Sequence, residues 1–115
     1  QYKKNIVDYF KGIIKLMRQE KYDIVHIHGN SANMAIELLA VNFGGVKVKI
    51  THSHNTATMH PCMHKMLLAL CLQSCRTVRL ACGEDAGKWL YREQKFTVLN
   101  NGIETNKYLF SDSVR

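Results

Sequence analysis

Hydrophobic and polar positions along this chain follow two alternating periods, one typical of helices and one typical of strands. In the first twenty residues, apolar side chains recur every three or four positions with basic residues between them. This spacing predicts an amphipathic helix over residues 4–20. The next segment, Asp23–His28, is short, rich in β-branched residues and closed by Gly29, as expected of a buried strand.

The same two patterns repeat along the rest of the chain. Ser31 is placed to cap a helix that runs to Phe43 and stops at Gly44-Gly45. The later predicted elements are a strand over 46–53, a helix over 61–76, a strand over 77–82, a helix over 84–92 and a strand over 96–99. Strands and helices that alternate with short connections predict an α/β fold: a three-layer, Rossmann-like parallel sheet of about four strands with helices on both faces.

Composition narrows the class of protein. The chain has 115 residues, which is enough for one domain at most, and a formal net charge of +7. That charge suits anionic partners such as phosphorylated substrates or anionic lipid. The basic residues are scattered and are not interleaved with aromatic residues, which argues against nucleic acid. The longest uncharged apolar run, Met66–Leu72, is far shorter than the ~20 residues that a membrane span needs.

The four cysteines have no CxxC spacing, and three of them lie in apolar surroundings. This pattern predicts buried, reduced thiols in a cytosolic protein rather than a disulfide framework. Cys71 and Cys75, one helical turn apart, are expected to pack in the core.

Polar residues follow the carboxyl ends of all four predicted strands, while the strand bodies are apolar. In open parallel sheets, ligands bind beyond these ends, so this pattern predicts a binding site there. The candidate site residues are His28, Gly29, Asn30, Ser31, His52, His54, Asn55, Glu84 and Asn101. Glu84 also has a simpler interpretation, as an acid in the first turn of a helix that complements the helix dipole.

Two HxH pairs stand out among these residues. Side chains alternate along a strand, so His26 and His28 share one face, as do His52 and His54. Imidazole is a common zinc ligand, but no carboxylate or cysteine is placed to complete a site, and we expect no metal and no other cofactor. His26, deeper in its strand, is interpreted as a hydrogen-bonded structural residue. His28 and His54 are the candidates to donate to a phosphate or a sugar hydroxyl.

Two further histidines, His60 and His64, lie in a loop and on the third helix. Both are expected to be exposed polar residues, because half-exposed histidines are common.

Four segments, taken in this order and spacing, resemble the retaining glycosyltransferases of family four. More narrowly, they are similar to bacterial capsular and exopolysaccharide enzymes of the EpsF/CapM type. The segments are YDIVHIHGNSANMAIELLA, VKVKITHSHNT, ACGEDAGKWLY and FTVLNNGIETNKY. The resemblance extends over residues 21–110, and its pieces are specific together although each alone would be weak.

The resemblance implies a GT-B enzyme, in which two Rossmann-like domains face each other across a cleft and no metal is required. Residues 1–115 would be part of the N-terminal, acceptor-side domain, and the donor-binding domain would lie outside this chain. His54 matches the family's histidine that faces the sugar and diphosphate of the donor, where it can stabilise the reacting ensemble; His52 is the adjacent possibility. The turn before the interdomain connection matches Asn100-Asn101-Gly102, with Asn100 in place of the usual proline.

The activity implied is transfer of a sugar, with retention, from a nucleoside diphosphate sugar to a growing capsular or exopolysaccharide glycan. The acceptor would be a glycan or lipid-linked glycan, so we expect a cytoplasmic protein with peripheral contact to the membrane, which its positive charge favours. The 115-residue chain alone is expected to show no turnover. Two alternatives stay open: a nucleotide-sugar epimerase of the same architecture, because fold does not fix function, and a non-catalytic α/β interaction module with a basic surface.

Overall fold

The computed structural model of the chain describes residues 5–73 and 76–102. Helices and strands alternate through these residues, as the sequence pattern predicts. The helices are α1 (Ile6–Glu20), α2 (Met34–Phe43), α3 (Pro61–Gln73) and α4 (Glu84–Tyr91). The strands are β1 (Ile24–Gly29), β2 (Val48–Ser53), β3 (Thr77–Ala81) and β4 (Thr97–Val98).

The four strands form one parallel sheet in the order β1-β2-β3-β4. Each strand is joined to the next through a helix, which is the connection that parallel neighbours require. The predicted α/β class, with a parallel sheet of four strands flanked by helices, is confirmed, and the architecture agrees with a Rossmann-like three-layer fold. The carboxyl ends of all four strands therefore lie along one edge of the sheet.

The two faces of the sheet differ in character. One face packs under α2 and α4, which bury its side chains. Contacts on this face connect the two helices to the strands. The Ser53 hydroxyl donates to the Ala86 carbonyl of α4 at 3.1 Å, and a Cβ added at Gly29 would lie 2.6 Å from the Met34 side chain of α2. Buried residues on this face are Ile27, Thr51, Ser53 and Ala81.

The opposite face carries the residues that alternate with these. Near the amino ends of the strands it presents Ile24, Val48 and Val78, all of them exposed. His26 and His28 continue this face along β1, because residues two apart on a strand point the same way. The histidines thus lie on the more open face of the sheet, toward its carboxyl edge.

The start of α2 differs from the prediction. The helix begins at Met34, and Ser31 is not its cap, so that prediction is wrong. The Ser31 hydroxyl instead accepts from the Asn33 N–H at 3.3 Å inside a turn that precedes the helix. The Ala32 N–H is satisfied from another element, by Nδ1 of His64 at 3.1 Å. The predicted stop at Gly44-Gly45 is confirmed.

The other elements agree with the predictions to within a few residues. The Asn5 side chain caps α1 by accepting from the Val7 N–H at 3.2 Å. Some predictions fall on residues outside the described part of the chain. These are Cys75, the predicted first residue of α1 at position 4, and the end of the fourth resembling segment, which lies within 103–115. Among the helices described here, none is long and apolar enough to cross a lipid bilayer.

The cysteines in the described ranges are free thiols at three levels of exposure. Cys71 is buried in the core, and its burial raises the pKa of the thiol to about 11. Cys82 is half-buried, whereas Cys62 is exposed in the first turn of α3. The prediction of buried thiols is therefore confirmed for Cys71 and wrong for Cys62.

Candidate functional site

Four histidines at the carboxyl ends of β1 and β2 form one contiguous group, which we call the histidine cluster. Within each pair the rings lie close together, with centroids 4.0 Å apart for His26 and His28 and 4.2 Å apart for His52 and His54. Between the strands, the His28 ring lies 5.3 Å from that of His52 and 5.2 Å from that of His54. The prediction that each HxH pair shares a face is confirmed, and the two pairs share the same face.

Strand register brings the two pairs together. His28 and His52 are direct partners in the parallel β1–β2 ladder, and paired residues point to the same side of a sheet. The ladder continues one residue beyond β2, because the His54 N–H donates to the Gly29 carbonyl at 3.2 Å. His54 is thereby held beside the end of β1.

A side-chain hydrogen bond links the pairs. Nδ1 of His28 lies 2.9 Å from Nε2 of His54. One of these nitrogens carries the proton and the other accepts it, so the bond fixes the tautomers of both rings relative to each other. Each ring keeps its second nitrogen, Nε2 of His28 and Nδ1 of His54, for another partner.

His52 is the interior member of the cluster. It is 4% exposed, and neither of its ring nitrogens has a hydrogen-bond partner among the described residues. The backbone of Leu99 lies near the ring without forming a hydrogen bond to it. Burial, followed by the neighbouring imidazoles, lowers the pKa of His52 overall, so the ring is neutral at pH 7.

His26 does not have the role predicted for it. It is exposed, and its ring lies against those of His28 and His52 rather than in the interior. Partial desolvation in this stack lowers the pKa of His26, and repulsion from His28 and His54 adds to the effect. The interpretation as a hydrogen-bonded structural residue is wrong, because none of the described helices packs on the outer face of β1 and the His26 ring makes no hydrogen bond within the described part of the chain.

The loop after β1 contributes unequally to the edge of the sheet. The Gly29 carbonyl is used by His54, and Asn30 is exposed beside the cluster. Ser31 is buried, with its hydroxyl engaged in the turn before α2. Of these three predicted site residues, Asn30 is the one whose side chain is open to a ligand.

The remaining predicted site residues lie along the same edge. Asn55 is exposed immediately after His54. Glu84 opens α4 after β3, where it is exposed and pairs with Lys88 at 3.6 Å, one helical turn away. Asn101 is exposed beyond β4. Since strands are about 4.8 Å apart, Glu84 belongs to a position one strand from the cluster and Asn101 to a position two strands away.

The supporting role of His64 beside the site was missed by the sequence interpretation. His64 is 5% exposed, with its ring stacked on that of Trp89 at 4.4 Å. Its Nδ1 holds the Ala32 N–H, so it supports the loop that leads from β1 into α2. The prediction that His64 is exposed is wrong, whereas the same prediction for His60 is confirmed. The helical spacing of His64 with Cys71 on one face of α3 was the available signal.

A cavity lies away from the cluster, near α2. It has a volume of about 630 Å³ and is lined in part by Asn42, Lys47, Lys49 and Arg76. The Lys49 ammonium is buried there but is satisfied by the Asn42 side chain at 3.1 Å and the Val46 carbonyl at 3.3 Å. This cavity lies at the amino ends of the strands, where parallel sheets do not usually bind ligands.

No protein-family model, curated protein or solved structure matches this chain. The site is therefore interpreted from its own chemistry. Neutral imidazoles can donate a hydrogen bond, accept one, transfer a proton or bind a metal ion. The candidate site is the histidine cluster together with the exposed amides of Asn30 and Asn55.

Proposed function

We propose that this chain is part of a glycosyltransferase that transfers a sugar, with retention, from a nucleoside diphosphate sugar to a growing capsular or exopolysaccharide glycan. The observation that carries this proposal is the contact of 2.9 Å between His28 and His54 at the carboxyl edge of a parallel sheet. The order and spacing of the four segments that resemble family-four enzymes support it. In that resemblance His54 is the residue that meets the donor.

The tautomers of the histidine pair determine which N–H group meets a ligand. When Nδ1–H of His28 donates to Nε2 of His54, His54 keeps its own proton on Nδ1. That N–H is then available to an oxygen of the donor, and His28 fixes the orientation of the ring that presents it. His28 therefore acts as a positioning residue and His54 as the residue in contact with the donor.

Sugar transfer builds negative charge on the diphosphate that leaves. A fixed N–H donor aimed at that charge stabilises the transition state more than the ground state, and removing one such donor costs about 10²–10³ in turnover. A proton held on Nδ1 of His54 supplies this donor. Catalysis in the proposal therefore depends on electrostatic stabilisation by this chain.

The acceptor side is supported by the neighbouring polar groups. Asn30 and Asn55 present exposed amides next to the cluster, and amides can donate to and accept from sugar hydroxyls. The net charge of +7 favours an acceptor with anionic groups, such as a glycan linked to lipid through a diphosphate. The proposal therefore includes a reaction at the cytoplasmic face of the membrane, with the protein bound peripherally.

The test compares His54→Ala with the unaltered enzyme that contains this chain. Transfer of radiolabelled sugar from nucleotide-sugar donors to the membrane acceptor is measured at saturating donor. We expect turnover to fall about 10²–10³-fold, with an unchanged far-UV circular dichroism spectrum. The matched control is His60→Ala, which removes an exposed histidine outside the cluster and is expected to leave turnover unchanged.

Other outcomes would redirect the assignment. Unaltered turnover in the His54→Ala enzyme would remove His54 from the reaction. Epimerisation of the free nucleotide sugar without any acceptor would favour the epimerase alternative. Failure to transfer or epimerise any donor, together with capture of a specific protein partner, would favour the interaction module.

A further inference from the structure

We propose that the histidine cluster is a binding site for one divalent transition-metal ion, with His26, His28 and His52 as the protein ligands. This inference does not depend on the proposed glycosyltransferase function. It departs from the expectation of no metal, which rested on the lack of a nearby carboxylate or cysteine. The fold supplies the missing ligands by bringing the second HxH pair beside the first.

The geometry of the three ligands is close to that of a metal site. One ring nitrogen from each of these histidines lies within 4.8 Å of the other two. Zinc–nitrogen bonds of 2.0–2.1 Å in a tetrahedral site hold ligand nitrogens about 3.4 Å apart. The difference is small enough for rotation of the imidazole rings about their side-chain torsions to close it, without movement of β1 or β2.

The buried member of the cluster provides an independent argument. His52 is 4% exposed, and both of its ring nitrogens are without a hydrogen-bond partner among the described residues. Buried polar atoms are nearly always paired, and each exception requires an explanation. A metal ion bound to one of these nitrogens would supply the partner, since one nitrogen of His52 lies within 4.8 Å of a ring nitrogen of His26 and of His28.

His54 completes the arrangement from outside the ligand set. Metal-bound histidines usually form a hydrogen bond through their second ring nitrogen, which fixes the tautomer and the ring orientation. Nδ1 of His28 makes such a bond with Nε2 of His54, and this leaves Nε2 of His28 for the ion. His54 is therefore a positioning residue in this site.

The ligand set selects the class of ion. Three imidazoles without a carboxylate suit zinc, copper, nickel or cobalt, whereas magnesium and calcium require oxygen ligands. Three protein ligands also leave a fourth position open, as in zinc sites that bind water or a substrate atom. His26 and His28 are exposed, so an ion can enter from solvent.

The test uses the purified chain without an affinity tag, stripped with chelator and titrated with Co²⁺. We expect one equivalent to bind per chain, with visible absorption bands of a tetrahedral site that Zn²⁺ abolishes by displacement. His26→Ala and His28→Ala, both at exposed positions, are each expected to lower the affinity for Co²⁺ at least tenfold. His54→Ala is expected to lower it about tenfold, in the range observed when the hydrogen-bond partner of a ligand is removed.

His60→Ala is the matched control, because it removes an exposed histidine that is not in the cluster, and its affinity is expected to equal that of the unaltered chain. Zn²⁺ should also raise the melting temperature of the unaltered chain and not that of His26→Ala, since an ion that binds the folded state stabilises it. Absence of stoichiometric Co²⁺ binding would overturn the proposal. Equal loss of affinity in His60→Ala and His26→Ala would also overturn it, because binding would then be non-specific.

Discussion

The hydroxyl of Tyr91 joins α4 to two strands, and its removal gives a direct test of how this fold is held together. The side chain is fully buried. Its oxygen lies 3.0 Å from the Thr51 carbonyl, 3.1 Å from the Thr51 hydroxyl and 3.0 Å from the Leu80 carbonyl. Burial raises the pKa of Tyr91 to about 12, so the group is a neutral hydroxyl that can donate and accept. The perturbation is Tyr91→Phe.

The expected loss follows from counting protons. The Tyr91 hydroxyl has one proton and donates to one carbonyl at a time, while the Thr51 hydroxyl can donate to its oxygen. Each net hydrogen bond contributes about 1 kcal/mol, and a buried hydroxyl left without a partner costs about as much again. Thr51 is 1% exposed, so water cannot replace the lost partner. Together these effects predict a loss of about 2 kcal/mol, or about 8 °C in Tm for a chain of this size.

The assay is urea unfolding followed by the fluorescence of Trp89, the only tryptophan in the chain. Tyr22→Phe is the control, because Tyr22 is 46% exposed and should change the free energy of unfolding by less than about 0.5 kcal/mol. Adding Thr51→Val to Tyr91→Phe should recover part of the loss, since the unpaired hydroxyl is then removed. A free energy of unfolding for Tyr91→Phe within 0.5 kcal/mol of the unaltered chain, at equal m, would refute the reasoning.

Two further predictions concern stability. Gly12→Ala should stabilise the chain by about 1 kcal/mol, because its new Cβ meets nothing within 4 Å in α1. Gly44→Ala should destabilise the chain by about 1–2 kcal/mol, because its Cβ would lie 2.4 Å from that of Met17. Equal urea midpoints for the two variants would contradict this. Burial and, less strongly, a neighbouring guanidinium lower the pKa of His64, so its contribution to stability is present above its unfolded pKa of about 6.5 and is lost as the pH falls through the lower folded value. His64→Asn, which keeps an acceptor for the Ala32 N–H, should therefore lose less stability than the unaltered chain between pH 8 and pH 5 in urea unfolding, and an equal loss would exclude this role for His64.

The fold could be predicted largely from local patterns, because each element carries its own period. The amphipathic spacing of α1 and the β-branched run of β1 are properties of consecutive residues. The start of α2 could not be predicted in this way. The Ala32 N–H, in the turn just before the helix, is satisfied by His64 from α3, more than thirty residues along the chain. Ser31 has the residue type of a helix cap, but tertiary contacts gave it a place in the preceding turn.

The candidate site was predictable in part for the same reason. Alternation along a strand is sufficient to place His26 with His28, and His52 with His54. It does not say how β1 and β2 align, and a shift of one residue in their register would have turned one pair to the opposite face. The pairing of His28 with His52 is set by the whole sheet. The expectation of no metal rested on residue types, because the distances among the histidine rings depend on this register.

The two proposals make different demands on His54, and this difference allows them to be separated. As the residue that meets a sugar donor, His54 needs a free N–H on Nδ1, and its loss should abolish most turnover. As the partner of His28 in a metal site, it accepts through Nε2 from a ring that is bound to the ion on its other side, and its loss should only weaken binding. The two roles use different nitrogens of the same ring, so they are chemically compatible. His26→Ala separates them. It removes a proposed metal ligand that is not hydrogen-bonded to His54 in the described part of the chain. A large loss of turnover in that variant would mean that the ion takes part in the reaction, and full turnover with weakened Co²⁺ binding would mean that His54 acts without it.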